Sequence, residues 1–308
     1  MIKTIVSTAL PIDERLLIKK NVISNGTGKK RICIVTGTHG DELEGQYVCF
    51  MLAKLVQENI EKLDGTIEIY PALNPLGIDS ITRGVPNFDI DMNRIFPGSE
   101  DGSMVEHAAH TILHDLAGAD MVIDIHSSNI FLREIPQVRI NVETADSLVP
   151  YAKLLNIDFI WVHEAATVLE ATLAHSLNSL NTPTLVVEMG VGMRINHGYC
   201  KNLVIGILNL MNNMGLWKEA QDSSKISTPL VSVGDAVEFI NADASGIFLT
   251  EAHNNTLVKA GQELGIIVNT LTGDILQTVH SPIDGLLFTI RAYPVVYQGS
   301  LLARIHKF

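Results

Sequence analysis

A chain of 308 residues, 46% of them hydrophobic and 18% charged, can bury a substantial core and suits one large domain with a smaller one, or two of medium size. Its 22 Lys and Arg against 34 Asp and Glu give a net charge of −12, which argues against a broad nucleic-acid or anionic-membrane surface. Arginines held locally in a pocket for a small anion remain compatible with that balance.

The N-terminal stretch MIKTIVSTALPIDERLL runs from a short apolar segment into Pro11, Asp13, Glu14 and Arg15 without a signal-peptide pattern. No apolar run approaches the roughly 18 residues of a membrane span. Three cysteines, Cys33, Cys49 and Cys200, form no CxxC pair and suit a reducing compartment. The expectation is a soluble, cytoplasmic protein that meets neither nucleic acid nor membrane.

Residues 31–35 form a continuous apolar run suited to a buried parallel strand. Val48, Met51, Leu52, Leu55 and Val56 recur at helical spacing within 45–63, and 66–70 is again strand-like, stopping at Pro71. A long stretch rich in Gly, Pro, Asn and Asp follows from 74 to 102; a loop of that length is usually functional when it is not disordered. Beyond it the pattern predicts a helix over 106–116, a strand over 121–125, helices over 150–156 and 165–180, a strand over 184–187 and a helix over 202–214. Strands alternating with helices predict an α/β domain with a largely parallel sheet. Near residues 217–228 the texture changes to short β-rich runs separated by turns. The expected division is therefore a catalytic α/β domain over 1–222 and an all-β domain over 223–308, with the first 25 residues packing against the β domain.

The predicted strands end in ionisable residues. His39 and Glu42 follow 31–35, His126 follows 121–125, and Glu188 follows 184–187. Ligands of open parallel sheets bind beyond the carboxyl ends of the strands, so these groups converge if the strand order allows it. Two histidines and one carboxylate are a ligand set for a catalytic zinc with an open position. A further carboxylate is then needed to take a proton from water and pass it to the leaving nitrogen, and Glu188 is the candidate. Asp124, two residues before His126, either orients that histidine or makes a buried structural hydrogen bond. Asp41 reads as a helix-start residue or a support of the ligands. In the loop, Asn93 lies beside Arg94 with Arg83 upstream. A guanidinium fork and an amide suit a carboxylate, and a second arginine suits an oxyanion. His107, His110 and His114, with Glu106, share a helical face but lack a matching base and read as solvated. His163 and Glu164 fall in a loop and are weak pocket candidates.

Five motifs, THGDELEG, NPLGIDSITRG, DMNRIFPG, DIHSS and VVEMG, stand in the order seen in the zinc carboxypeptidase superfamily. The chain resembles its succinylglutamate desuccinylase/aspartoacylase branch over roughly residues 30–195. The resemblance implies a mixed, mainly parallel sheet flanked by helices, followed by a C-terminal barrel-sandwich-like β domain. It implies one Zn2+ per chain on His39, Glu42 and His126, with Glu188 as base and acid. It further implies Arg83 polarising the scissile carbonyl, Asn93 and Arg94 holding the substrate carboxylate, and Tyr293 or Tyr297 reaching the site from the β domain. The implied activity is a deacylase acting on a small N-acylated amino acid. A metallocarboxypeptidase acting on short peptides and a non-catalytic metal-binding protein are the alternatives, and a homo-oligomer is left open. The C-terminal segments LVKAGQELGIIV and VHSPIDGLLF look like half of a biotinyl or lipoyl carrier, but the turn at 269–274 has no lysine. A structural or site-covering role is expected there instead.

Overall fold

The computed structural model describes residues 1–164 and 170–308. The chain begins with β1 (Ile2–Ala9), β2 (Arg15–Asn25), β3 (Arg31–Thr36), α1 (Glu44–Glu58), β4 (Gly65–Tyr70), α2 (Pro75–Ser80) and α3 (Met104–Leu116). It continues through β5 (Met121–Ser127), β6 (Leu132–Asn141), α4 (Ala145–Ala152), β7 (Phe159–His163), α5 (Leu173–Ser179), β8 (Thr184–Gly190) and α6 (His197–Asn213). Strands alone follow, apart from a short 3-10 turn: β9 (Leu230–Val233), β10 (Val237–Asn241), β11 (Gly246–Leu249), β12 (Thr256–Val258), β13 (Glu263–Val268), β14 (Ile275–His280), β15 (Gly285–Arg291), β16 (Val295–Val296) and β17 (Leu301–Lys307).

The central strands β4, β3, β5 and β8 run parallel in that order. Both of their faces are buried, which is why their sequences are continuously apolar rather than alternating. Ile32 and Ile34 pack with Val48, Leu52 and Val56 of α1 and Leu203, Ile207 and Met211 of α6. Cys33 and Val35 face the other way, onto Ala108, Ile112 and Leu116 of α3 and Leu173 and Leu177 of α5. All three cysteines are buried free thiols.

Beyond β8 the sheet continues antiparallel into β6, β15, β17 and β10, and β7 and β9 add to it in parallel beside β6. Of the C-terminal strands, β9, β10, β12, β15 and β17 are thus part of the same 13-stranded sheet. Residues Thr289, Ile290 and Arg291 pair with Glu134, Arg133 and Leu132. A smaller sheet, in the order β14, β13, β11, β16, closes over a second core that includes Phe248, Leu264, Ile267, Leu287 and Ile305.

Several expectations are corrected. The first 25 residues do not pack on the C-terminal strands; β1 and β2 form a hairpin whose second strand pairs with β4, at the opposite end of the sheet. The 74–102 segment is not featureless: it holds α2 and a 3-10 turn at 92–94. The helix expected over 150–156 begins earlier, at Ala145, with Pro150 inside it. Of the helix expected over 165–180, residues 165–169 lie outside the described residues, and α5 occupies Leu173–Ser179. Among the described residues no helix is long and apolar enough to cross a membrane.

Candidate metal centre and active site

Two strand positions and the loop that leaves a third strand build the centre of the site. His126 on β5 lies directly opposite Glu188 on β8 in the parallel register, so two ionisable groups share one row. The Thr38–Glu42 loop leaves β3 at the same edge and docks on the 74–84 segment, where Gly40 N–H donates to Thr82 O at 3.1 Å. A Cβ at Gly40 would lie 1.9 Å from the Gly77 carbonyl carbon, so only glycine permits this approach. The loop thereby presents His39 and Glu42 towards His126.

His39, Glu42 and His126 are buried and form a group whose candidate ligand atoms all lie within 4.8 Å of one another. His39 Nδ1 is 2.8 Å from Glu42 Oε1, and His126 Nδ1 is 2.9 Å from Glu42 Oε2. The two Nδ1 atoms are 3.2 Å apart, so both rings turn the same nitrogen towards one carboxylate. The far nitrogens are backed by other acids: His39 Nε2 lies 2.9 Å from Asp91 Oδ1, and His126 Nε2 lies 3.2 Å from Asp124 Oδ2. The first is a hydrogen bond, whereas the second is close enough for an ion pair but is not aligned as a hydrogen bond. Ser127 N–H steadies Glu42 Oε2 at 3.1 Å.

The electrostatics favour positive charge at this point. Burial works against a charged His126, but Asp124 and Glu42 outweigh it and hold its pKa well above the usual value. For His39 burial is likewise outweighed, by Glu42 and Asp91, and its pKa is raised. Burial opposes ionisation of Glu42 too, yet the two histidines hold its carboxyl well below the ordinary range. Both oxygens of Asp124 and Nε2 of His126 are buried without a hydrogen-bond partner, which costs free energy unless a charge nearby compensates. Two imidazole nitrogens and a carboxylate, each backed by a further acid or a backbone N–H, are the donor set of a three-ligand zinc site. The residues fit a divalent ion of that kind.

Around this centre lies a cavity of about 480 Å3 whose lining includes Glu188, Arg83, Asn93 and Arg94. Burial pushes the Glu188 carboxyl up, with Arg139 and His126 opposing. Arg83 Nη1 donates to Glu42 Oε1 at 2.9 Å and its Nε lies 3.5 Å from Asp91 Oδ2. Arg94 is exposed, and its Nη1 donates to Asn93 O at 2.7 Å; no carboxylate pairs with it among the described residues. Asn93 Oδ1 accepts from Leu173 N–H at 2.9 Å, which orients the amide with its NH2 as the remaining donor.

The other sequence candidates separate cleanly. Tyr293 and Tyr297 are 44% and 71% exposed and stand outside the cavity lining; Tyr293 packs edge-on against Phe131, centroids 5.7 Å apart. Asp41 does not cap α1, whose cap position is Leu43. Its backbone oxygen instead accepts from Met193 N–H at 2.7 Å. His107, His110 and His114 lie on α3 away from the site, with His107 and His114 bonded to backbone oxygens. His163 does line the cavity, while Glu164 offers its backbone oxygen to the His163 ring at 3.0 Å.

Sequence reasoning missed Arg139, Glu134 and Arg304, all in the cavity wall. Arg139 Nη2 is 2.8 Å from Glu134 Oε2, and its Nη1 is 3.4 Å from Glu188 Oε1. The only local signal was one acid, Glu134, and two arginines, Arg133 and Arg139, among the apolar residues of 132–141, a segment to which the sequence pattern assigned no element.

The succinylglutamate desuccinylase/aspartoacylase catalytic domain matches residues 28–214. N-α-acetyl-L-2,4-diaminobutyric acid deacetylase of Halomonas elongata is 31% identical over 122 residues, 39% of this chain; the match spans only 35% of that enzyme. Among solved structures, the product-bound ectoine utilization protein EutE (DoeB) of Ruegeria pomeroyi superposes with a TM-score of 0.84 at 21% identity, covering 100% of this chain and 95% of that one. A succinylglutamate desuccinylase/aspartoacylase of Rhodobacter sphaeroides gives 0.82 at 22% identity, covering 97% and 92%. At these identities the two structures speak to the fold, while the domain match covers more than half of the chain and includes every residue of the His39–Glu42–His126 group and Glu188. The chain belongs to the succinylglutamate desuccinylase/aspartoacylase family.

Proposed function

We propose that this protein is a zinc-dependent deacylase that hydrolyses the amide bond of a small N-acylated amino acid. The observation that carries the reading is the His39–Glu42–His126 group in one cavity with Glu188 and Arg94. His39, Glu42 and His126 would hold the ion, which when bound acts as a Lewis acid towards water and the scissile carbonyl.

The chain's own groups divide the remaining work. Glu188 accepts the proton of the attacking water and returns it to the leaving nitrogen; its raised pKa favours holding that proton between the two transfers. Arg94, without a carboxylate partner among the described residues, receives the substrate carboxylate, and the Asn93 NH2 adds a directional bond. Arg83, held by Glu42 and Asp91 in the wall of the same cavity, is the donor this reading assigns to the developing oxyanion. The C-terminal strands contribute Arg304 to the cavity wall, and a volume of about 480 Å3 lies in the range of small-molecule sites. Both features favour a small substrate over a peptide threaded through an open groove. The partly matching Halomonas enzyme is a deacetylase of an acetylated amino acid, which supports the same reaction class, and such a reaction belongs to cytoplasmic small-molecule metabolism.

The test is an assay of the zinc-loaded protein on N-acyl amino acids in which acyl and amino parts vary separately. Release of free amine from at least one of them, abolished by chelation, is expected. Full zinc occupancy with no turnover of any amide, or turnover of peptides alone, would overturn the reading.

A further inference from the structure

One row of side chains ties the end of β8 to the C-terminal strands. Glu134 on β6 lies opposite Thr289 on β15, and Thr289 lies opposite Arg304 on β17. The same Glu134 lies opposite Gly190 on β8, two residues after Glu188. Glu134 is completely buried. Its Oε1 accepts from Thr289 Oγ1 at 3.2 Å and from Arg304 Nη1. Both of its oxygens accept from Arg139 Nη2, at 3.0 and 2.8 Å. The two guanidinium carbons lie 5.8 Å (Arg139) and 5.5 Å (Arg304) from the Trp161 ring centroid.

A guanidinium is a rigid plane, so fixing one terminal nitrogen fixes the direction of the other. With Nη2 anchored on Glu134, Arg139 Nη1 is set 3.4 Å from Glu188 Oε1. The carboxylate that must swing between water and leaving nitrogen therefore has a fixed donor on one side. Glu134, which anchors that donor, is itself held by Thr289 and Arg304, residues that arrive 155 and 170 positions later in the chain.

We propose that Arg139 is a positioning residue that holds the Glu188 carboxylate in its working orientation, and that Glu134, Thr289 and Arg304 hold Arg139, so that the C-terminal strands complete the catalytic base. This rests on the reading of Glu188 as the base. The family resemblance pointed to a tyrosine as the contribution of these strands; the geometry assigns an arginine and a threonine acting through Glu134.

The experiment uses the full-length, zinc-loaded enzyme and a substrate found in the panel above. Arg139→Met and Arg304→Met should each lower kcat by about 10- to 100-fold, the order expected for misplacing a catalytic group by about 1 Å. KM and zinc stoichiometry should stay near wild type. Arg304→Lys, which keeps the charge on Glu134, should recover part of the loss. The double variant Arg139→Met/Arg304→Met should be no slower than Arg139→Met alone, because Arg304 acts through Arg139. Thr289→Val removes one hydrogen bond at constant shape and serves if the arginine variants misfold; a measurable fall in kcat at unchanged KM is expected. Unchanged kcat in these variants would overturn the proposal, as would a rise in KM alone or multiplicative losses in the double variant. If Glu188→Gln itself keeps wild-type kcat, the base reading fails. If that variant is dead while Arg139→Met is fully active, only the positioning role fails.

Discussion

On the proposed function Glu188 has to be an acceptor at one moment and a donor at the next, and an amide can be neither in the same sense. Glu188→Gln keeps the shape of the side chain, so zinc bound per chain should remain at one equivalent by elemental analysis. Its kcat should fall by about 100- to 10,000-fold, the usual contribution of a positioned general base and acid. The same proposal gives Arg94 a different stage. Among the described residues its guanidinium bonds the Asn93 backbone oxygen and no carboxylate, so Arg94→Ala should raise KM by roughly 10- to 100-fold with a smaller effect on kcat. That corresponds to about 1.5–3 kcal/mol for a hydrogen bond to a charged group; initial-rate kinetics on one substrate separates the two parameters. Glu188, like His39, Glu42 and His126, was legible because it follows an apolar strand abruptly, and a polar group there points to the carboxyl edge of a parallel sheet; Arg94 was singled out in the loop only by its neighbour Asn93 and by the family resemblance. Arg139 and Glu134 were not, because they lie within a strand whose partners are set by pairings far away in sequence. Register, which sequence does not display, brings Thr289 and Arg304 to Glu134. The tyrosines were carried over from the family resemblance, and the exposed positions of Tyr293 and Tyr297 show that such a transfer needs the local backbone to agree.

The edge hairpin of β1 and β2 illustrates how an element hides. Residues 15–20 alternate exposed and buried, the signature of a half-buried strand, but the third inward residue is Lys20, only 5% exposed. Its ammonium is 3.0 Å from Glu68 Oε2 and 2.7 Å from Asp115 Oδ2. Tyr70 OH donates to Glu68 Oε2 at 2.8 Å, and Arg31 Nη1 lies 3.0 Å from the same oxygen. One cluster thus joins β2, β3, β4 and the last turn of α3. Breaking a buried pair by removing one partner costs about 3–5 kcal/mol, because the other charge is left uncompensated. Lys20→Met should lower stability by about that amount in urea unfolding, with metal content unaffected. The pH dependence has a definite sign. Burial alone would raise the Glu68 pKa, but Tyr70, Lys20 and Arg31 outweigh it and the folded value is depressed. The stabilisation is therefore present above the unfolded value of about 4.3 and is lost as pH falls through the depressed folded value. With Lys20 gone the depression shrinks, so the acid-unfolding midpoint should move to higher pH.

The change of texture near residue 222 reads in sequence as a domain boundary, yet strands from both sides of it share one sheet. β15 pairs with β6, and β9 pairs with β7. Phe159 of β7 stacks on Phe288 of β15 with centroids 4.6 Å apart, and the buried Glu134 takes bonds from Thr289 and Arg304. If the C-terminal strands opened alone, residues 132–134 of β6 would lose their pairing with β15, β7 would lose its pairing with β9, and Glu134 would keep only Arg139 as a cation among the described residues. Each of those losses is expensive by itself. The chain should therefore unfold as one unit, and calorimetry of the metal-free protein should give a single transition whose van't Hoff and calorimetric enthalpies agree. Two resolved transitions would mean that the C-terminal strands are independently stable. By the same reasoning a chain ended at residue 222 should be poorly soluble, because it lays bare the 132–134 end of β6 and the outer edge of β7, with Glu134 left to Arg139 alone and Phe159 uncovered. Sedimentation of that fragment should show aggregation, whereas a soluble, zinc-binding monomer would place the boundary in energy as well as in sequence.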